Sequence, residues 1–465
     1  MRISFHGGAR QVTGSKHIIE ADGKRILLDC GLFQGHRADA NQKNRNLPFD
    51  PSKLDAVILG HAHIDHSGNL PNLVRNGYAG PIYSTKPTDD LCKYMLADSA
   101  YLQEKDVEYI NRRRVKEGLE PLDPTYTMAD ALDAIHQFVP RPYSHWFGVT
   151  GPIKAMFRDA GHILGSAVVE LDIHDAGKAH RIAYAVDLGR KNLPLLIDPK
   201  QITEAGTLII ESTYGNREHD PIENAKGDLA DAINRTISRG GKVIIPSFAM
   251  ERTQEIIYHL HTLHTENRIP NIPIIIDSPL AINITQVFRR NFNYLDAEAQ
   301  EMILKYEDPF GFGKVEYVRS VEDSKRLNLD SRPMIIISAS GMCEAGRILH
   351  HLKNNVEDER NTILVVGYMA ENTLGRKIVD REPDIKIFGE KYRLKAEVVI
   401  INAFSAHADR DELLEYVKNC GSTLERVFVV HGEEEQSLAF AEAVREMRPE
   451  LEVTVPKEGQ TIELS

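Results

Sequence analysis

HAHIDHSG, residues 61–68, sets His61, His63, Asp65 and His66 within six positions, directly after the apolar run AVIL at 56–59. The run reads as a buried strand, and Gly60 as the start of the loop that leaves it. Along extended backbone, residues two apart point the same way. His61 and His63 can therefore face one ion, while Asp65 and His66 turn toward a second. Without a cation among them, so many imidazoles would desolvate one another and repel as they took up protons. With 19 histidines in 465 residues, the HxHxDH spacing arises by chance in about one chain of this length in five hundred. A metal site is the better reading.

Two further segments look similar. RDAGHILGS puts His162 in a glycine-flanked turn after a strand, and AYAVDLGR puts Asp187 at a strand tip. Alone, each is an ordinary structural residue. Beside the 61–66 cluster they gain weight, because borderline-soft divalent metals take imidazole and carboxylate ligands converging from several strand ends. Asp29, which closes RILLDCG, is placed to orient a ligand imidazole. The ligand types suit zinc, with manganese or iron also compatible.

Composition bounds the rest. At 42% hydrophobic and 27% charged, the chain is that of a soluble globular protein, and 465 residues suggest two domains or three. The apolar runs are strand-length, so no membrane span is expected. The start, MRISFHGGARQ, lacks the apolar core of a signal peptide, and a cytoplasmic location follows. Cys30, Cys92, Cys343 and Cys420 form no CxxC and read as packed, reduced thiols. A net charge of −12 by itself argues against a nucleic-acid partner, but local clusters can outweigh a total. NRRRVK (111–116), FRRN (288–291) and LGRK (374–377) are such clusters, although most runs of this kind are solvated helix faces.

The first two hundred residues alternate short β-branched runs with glycine-rich turns. KHIIEADGKRILLDCG reads as a hairpin on a DG turn, and residues 88–140 form a helical excursion. From about 209 the grammar becomes strand, short turn, helix, four times over, as in KVIIPSFAMERTQEIIYHLHTL and PMIIISASGMCEAGRILHHLK. Apolar runs each followed by a helix indicate a parallel sheet, whose strand ends would line up Ser247, Ser278 and Ser340 as a phosphate-facing wall. After about 396 the earlier style returns. The parallel-sheet domain is therefore expected as an insertion, giving domains at 1–208, 209–395 and 396–465.

HAHIDHSG followed by His162 and Asp187 resembles the metallo-β-lactamase superfamily of αββα metallohydrolases. The resemblance implies that His61, His63, His162 and a bridging Asp187 hold one metal, and that Asp65, His66, Asp187 and His431 of VFVVHGE hold the other. TLIIESTYG carries Glu211 and NAFSAHAD carries His407. Glu211, His407 and His431, ordered around a large inserted α/β domain, look like the extra motifs of the β-CASP group, the nucleic-acid-processing branch. The implied fold is α/β: an αββα metallo-β-lactamase sandwich with an inserted parallel-sheet β-CASP domain.

The implied function is a two-zinc ribonuclease that hydrolyses single-stranded RNA in the cleft between the domains, as endonuclease, exonuclease or both. Two divalent ions outweigh the Asp65 and Asp187 carboxylates and leave a net positive site, suited to a phosphodiester. His407, oriented and kept cationic by Glu211, would protonate the departing 3′ oxygen. Ser405 would bind a phosphate oxygen; Ser340, with Arg376 and Lys377 of the GYMAENTLGRK turn, would contact RNA. The glycine-rich opening GGARQVTGSKH is expected to touch backbone rather than metals. His259, His261, His350 and His351, at helical spacing, read as faces or core. A small-molecule metallohydrolase with a lid is the alternative, disfavoured because it needs no Glu211 and His407 opposite the metals. A non-catalytic RNA-processing subunit is another, disfavoured because every ligand position is filled. A homodimer is left open.

Overall fold

The computed structural model describes residues 1–35, 37–219, 222–305, 308–367, 369 and 372–464, so Tyr368, Ala370 and Glu371 of the expected GYMAENTLGRK turn lie outside the described residues. The chain divides into two compact units. One comprises residues 1–192, 197–218 and 406–465, the other 193–196 and 219–405.

Strand alternation builds the first unit. In the strand Lys178–Ala185, Ile182 and Tyr184 face one core while Ala183 and Ala185 face another. The first of these cores lies between two seven-stranded sheets. One sheet runs Thr461–Glu463, Arg2–Phe5, His17–Ala21, Lys24–Leu28, Ala56–Ile58, Ile82–Ser84, Phe138–Pro140; it supplies Phe5, Ile19, Leu28 and Ile58. The other runs Glu452–Thr454, Arg426–Val429, Thr207–Ile210, Lys178–Ala185, Ala167–Asp175, Ile153–Asp159, Phe147–Thr150; it supplies Phe157, Leu171, Ile209 and Phe428. Its outer face is covered by the helices Arg410–Lys418 and Glu434–Met447 through Leu413, Val417, Phe440 and Val444. The expected hairpin forms with Asp22 and Gly23 both at positive φ, the two-residue turn that matches strand twist.

The helical excursion is a 31-residue helix, Lys86–Lys116, followed by Met128–His136. Thr85 caps the long helix by accepting from the Thr88 N–H, and Pro87 occupies its first turn. Its last turn holds Arg113, Arg114 and Lys116, where cations complement the helix dipole. Arg112 pairs with Glu108 at 2.8 Å and Arg113 with Glu117 at 2.7 Å. NRRRVK is thus a solvated helix face.

The second unit is built on a six-stranded sheet, ordered Val315–Tyr317, Ile274–Ile276, Ile335–Ser338, Val243–Pro246, Thr362–Val365, Glu397–Ile400, with every pairing parallel. Ile274–Ile276 and Ile335–Ile337 are buried throughout, each side chain contributing about 1.5–3 kcal/mol of apolar burial. The strand Glu397–Ile400 is hydrogen-bonded to this sheet, so the change of unit falls at 405–406 rather than at the change of sequence grammar near 396. Ser247, Ser278 and Ser340 do follow the carboxyl ends of three neighbouring strands. No helix among the described residues is long and apolar enough to cross a membrane.

Candidate metal centre

Six segments that follow strand carboxyl ends in the first unit bring the polar residues together, Asp65 and His66 from the short helix Ile64–Ser67. The strand Ala56–Ile58 leads to His61–His66, Ile153–Asp159 to His162, Lys178–Ala185 to Asp187, and Arg426–Val429 to His431. Lys24–Leu28 delivers Asp29, and Thr207–Ile210 delivers Glu211. Two glycines allow the loops to press together. A Cβ on Gly31 would lie 1.5 Å from the Asp65 carbonyl oxygen, and one on Gly189 would lie 1.8 Å from that of Gly161.

Two ligand sets result. His61 Nε2 lies 3.0 Å from His63 Nδ1, and His162 Nε2 lies 3.2 Å from the same atom. Asp187 Oδ2 is 3.5 Å from both His61 Nε2 and His162 Nε2. Four ligands around one ion at 2.0–2.1 Å would be about 3.3 Å apart, the edge of a tetrahedron. These four fit. The second set is Asp65, His66 and His431. Asp187 reaches it too, through Oδ2 at 3.6 Å from His66 Nε2 and Oδ1 at 3.3 Å from His431 Nε2. Asp65 Oδ2 lies 4.0 Å from His66 Nε2 and 3.9 Å from His431 Nε2, a looser arrangement. Asp187 therefore touches both sets. His66 Nε2 and Asp187 Oδ1 are buried without a hydrogen-bond partner among the described residues, a costly state unless a cation sits beside them.

The electrostatics agree. Burial first, and the neighbouring imidazoles second, hold His61, His162 and His431 well below the ordinary histidine value, so their lone pairs are available to a metal. Burial lifts the Asp187 carboxyl above the usual carboxylate range, against the pull of His66. Burial also opposes charge on His66, but Asp187, Asp29 and Asp65 outweigh it and hold the ring up to about 10.

Asp29 orients His66. Its Oδ2 accepts from His66 Nδ1 at 2.7 Å and from the Tyr184 hydroxyl at 2.7 Å, while Oδ1 accepts from the Gly60 N–H at 2.7 Å. Glu211, fully buried, accepts from the Leu188 N–H at 2.6 Å and from His407 Nδ1 at 3.0 Å. Burial works against a charged His407, yet Glu211, Asp187 and Asp65 overcome it and raise the ring to about 9. Its centroid lies 4.4 Å from that of His162, so this imidazole borders the candidate ligands.

Comparison with known proteins gives the same picture. Residues 13–246 match the metallo-β-lactamase superfamily, 253–378 the β-CASP domain and 391–456 the Zn-dependent metallo-hydrolase RNA specificity domain. Ribonuclease TTHA0252 of Thermus thermophilus is 38% identical over 440 residues, 95% of each chain. The chain belongs to the β-CASP branch of the metallo-β-lactamase superfamily. Transcription termination factor FttA of Methanocaldococcus jannaschii is 34% identical over 459 residues, 96% of this chain and 69% of that one. A solved protein of unknown function from Enterococcus faecalis shares the fold over 100% of this chain and 99% of its own, with a TM-score of 0.55 at 14% identity. The ligand clusters and the matched zinc-dependent domain make this β-CASP protein a metal binder.

Other expected residues belong to neither ligand set. In the parallel-sheet unit of this β-CASP chain, the Ser340 hydroxyl accepts from the Glu344 N–H at 3.1 Å, and Arg376 pairs with Asp380 at 2.9 Å. Lys377 is half-buried on the helix Leu374–Val379, and Ser405 is half-buried two residues before His407. His259, His261 and His351 are buried in helices, as expected. The glycine-rich opening touches backbone, as expected, and one side chain besides. Its Ser15 N–H does bond backbone, the Asp65 carbonyl at 3.0 Å, but the Ser15 hydroxyl meets His431 Nδ1 at 3.0 Å. Ser15 and Tyr184 were missed because each partner lies more than 150 residues away in sequence, and no local pattern announces such pairs.

Proposed function

We propose that the protein is a two-zinc ribonuclease that hydrolyses phosphodiester bonds of single-stranded RNA. One observation carries this reading: Glu211 and His407 form a hydrogen-bonded pair against the imidazoles of the candidate metal centre. The name of the Thermus relative, a ribonuclease, supports it independently. His61, His63, His162 and Asp187 would hold one ion, and Asp65, His66, His431 and Asp187 the other. Bound there, two zinc ions supply Lewis acidity and a hydroxide nucleophile at neutral pH.

The chain's own groups do the rest. Asp29 and Ser15 fix the ring planes of His66 and His431. Asp187 spans both ligand sets. Glu211 takes the Nδ1 proton of His407 in a hydrogen bond, so Nε2 is the acid. As water adds to phosphorus and the bond to the 3′ oxygen breaks, the His407 Nε2 proton passes to that oxygen. The products carry a 5′ phosphate and a 3′ hydroxyl. General acid assistance of this kind contributes about 10²–10⁴-fold. Ser405, Ser340, Arg376 and Lys377 would position the strand through its phosphates.

The test is cleavage of 5′- and 3′-labelled unstructured RNA by protein loaded with two equivalents of zinc. Cutting that yields 5′-phosphorylated ends is expected, together with weaker RNA binding as salt is raised. Hydrolysis of small esters or thioesters with no action on RNA would overturn the assignment.

A further inference from the structure

A hollow of about 310 Å³ lies against the helix Lys86–Lys116, and none of the groups above uses it. Met95, Asp98, Leu102 and Gln103 line it from the helix, and Leu32 and Ile64 line it from the segments opposite. Ile64 stands between His63 and Asp65 in the chain, so this wall is continuous with the metal centre. The volume suits one flat heterocycle with its sugar. Leu32, Ile64, Met95 and Leu102 offer apolar contact to the faces of such a ring, and the polar side chains meet its edge.

Asp98 is the informative group. It is half-buried, and it has no hydrogen-bonding or ionic partner among the described residues. Burial alone raises its carboxyl above the usual range. A partly desolvated carboxyl with no donor is unfavourable unless a ligand brings N–H groups to it.

We propose that this hollow receives one unpaired guanine of the RNA strand near the scissile phosphate, with Asp98 accepting from its N1–H and N2 amino groups. The inference rests on the ribonuclease reading and adds base selectivity to it. An ionised carboxylate has two acceptor oxygens and no donor. Guanine is the base whose pairing edge presents two adjacent N–H donors. Adenine and cytosine each set one amino group beside an acceptor, and uracil sets one imide N–H between two acceptors. RNA-binding proteins read such edges on splayed, single-stranded bases. A phosphate would be repelled by the same carboxylate, so the base and not the backbone enters.

The experiment uses zinc-loaded full-length protein and hexanucleotides that differ by guanine or adenine at one position, scanned along the strand. Cleavage is read as kcat/KM and, separately, binding by fluorescence anisotropy. At one fixed distance from the cut, guanine should be favoured over adenine by about tenfold, in the range of a bidentate base contact. Inosine, which lacks the N2 amino group, should fall between them. In Asp98→Asn the guanine-to-adenine ratio should drop to near one, with bound zinc unchanged. Cleavage or binding without guanine preference at any position, or a preference that survives Asp98→Asn, overturns the guanine pocket. Guanine-selective binding without cleavage would instead sink the ribonuclease reading while supporting the pocket.

Discussion

In the sandwich unit, Asp29 holds His66 at 2.7 Å; in the parallel-sheet unit, Asp277 holds His351 at 2.6 Å; all four side chains are shut off from solvent. The difference lies at the remaining polar atoms. His351 uses its other nitrogen on the Asn328 side-chain oxygen at 3.0 Å. Asp277 is completed by the Ser324 hydroxyl at 2.5 Å and the Arg347 guanidinium at 2.6 Å. That network is closed. His66 Nε2, in contrast, has no hydrogen-bond partner among the described residues and faces Asp187 and Asp65. A closed aspartate–histidine pair locks a fold, whereas an open one leaves a nitrogen that a metal ion could complete. Glu211 and His407 are a third variant, braced on one nitrogen and bordering the ligand cluster.

Removing the metal should break the comparison most severely. Dialysis against a strong chelator is expected to abolish RNA cleavage, with recovery on adding two equivalents of zinc. The reading fails if stripped protein, checked for residual metal, still cuts at full rate. Next comes His407→Ala, expected to lower kcat about 10²–10⁴-fold with zinc content intact. Loss of zinc in that variant, or turnover like the parent's, would show His407 to be something other than the acid.

Asp29→Asn should act more gently, weakening zinc at the His66 set about 10–100-fold in a competition titration while the fold persists. An unaltered affinity would mean that the open pair needs no brace. The closed pair should give the smallest effect on chemistry. His351→Leu is expected to lower stability by about 3–5 kcal/mol, since it strips a partner from buried Asp277. Zinc stoichiometry and kcat/KM per folded molecule should stay as they were. A variant that unfolds no more readily but loses activity would reverse the roles of the two pairs.

Much of this was legible along the chain. HAHIDHSG, His162, Asp187 and His431 all sit at strand ends, where period-two runs stop and glycine turns begin, so their convergence could be anticipated. His351 and His66 were distinguished by context alone, helical spacing against a crowded loop. What could not be read was the bracing by Ser15 and Tyr184. Ser15 reaches His431 across 416 residues and Tyr184 reaches Asp29 across 155. The unit boundary near 405 was also hidden, because the run AEVVI looks alike in either sheet and its pairing with Thr362–Val365 decides where it belongs.

The sequence by itself determined which side chains could act as donors and that they stand at strand ends, since hydrophobic period and ligand chemistry are local properties. Only the tertiary structure decided that Ser15 braces His431, that Tyr184 braces Asp29, and that Asp98 faces a hollow beside Ile64. Those outcomes depend on distances of a few ångströms between segments far apart in the chain, and packing fixes them where no local pattern can.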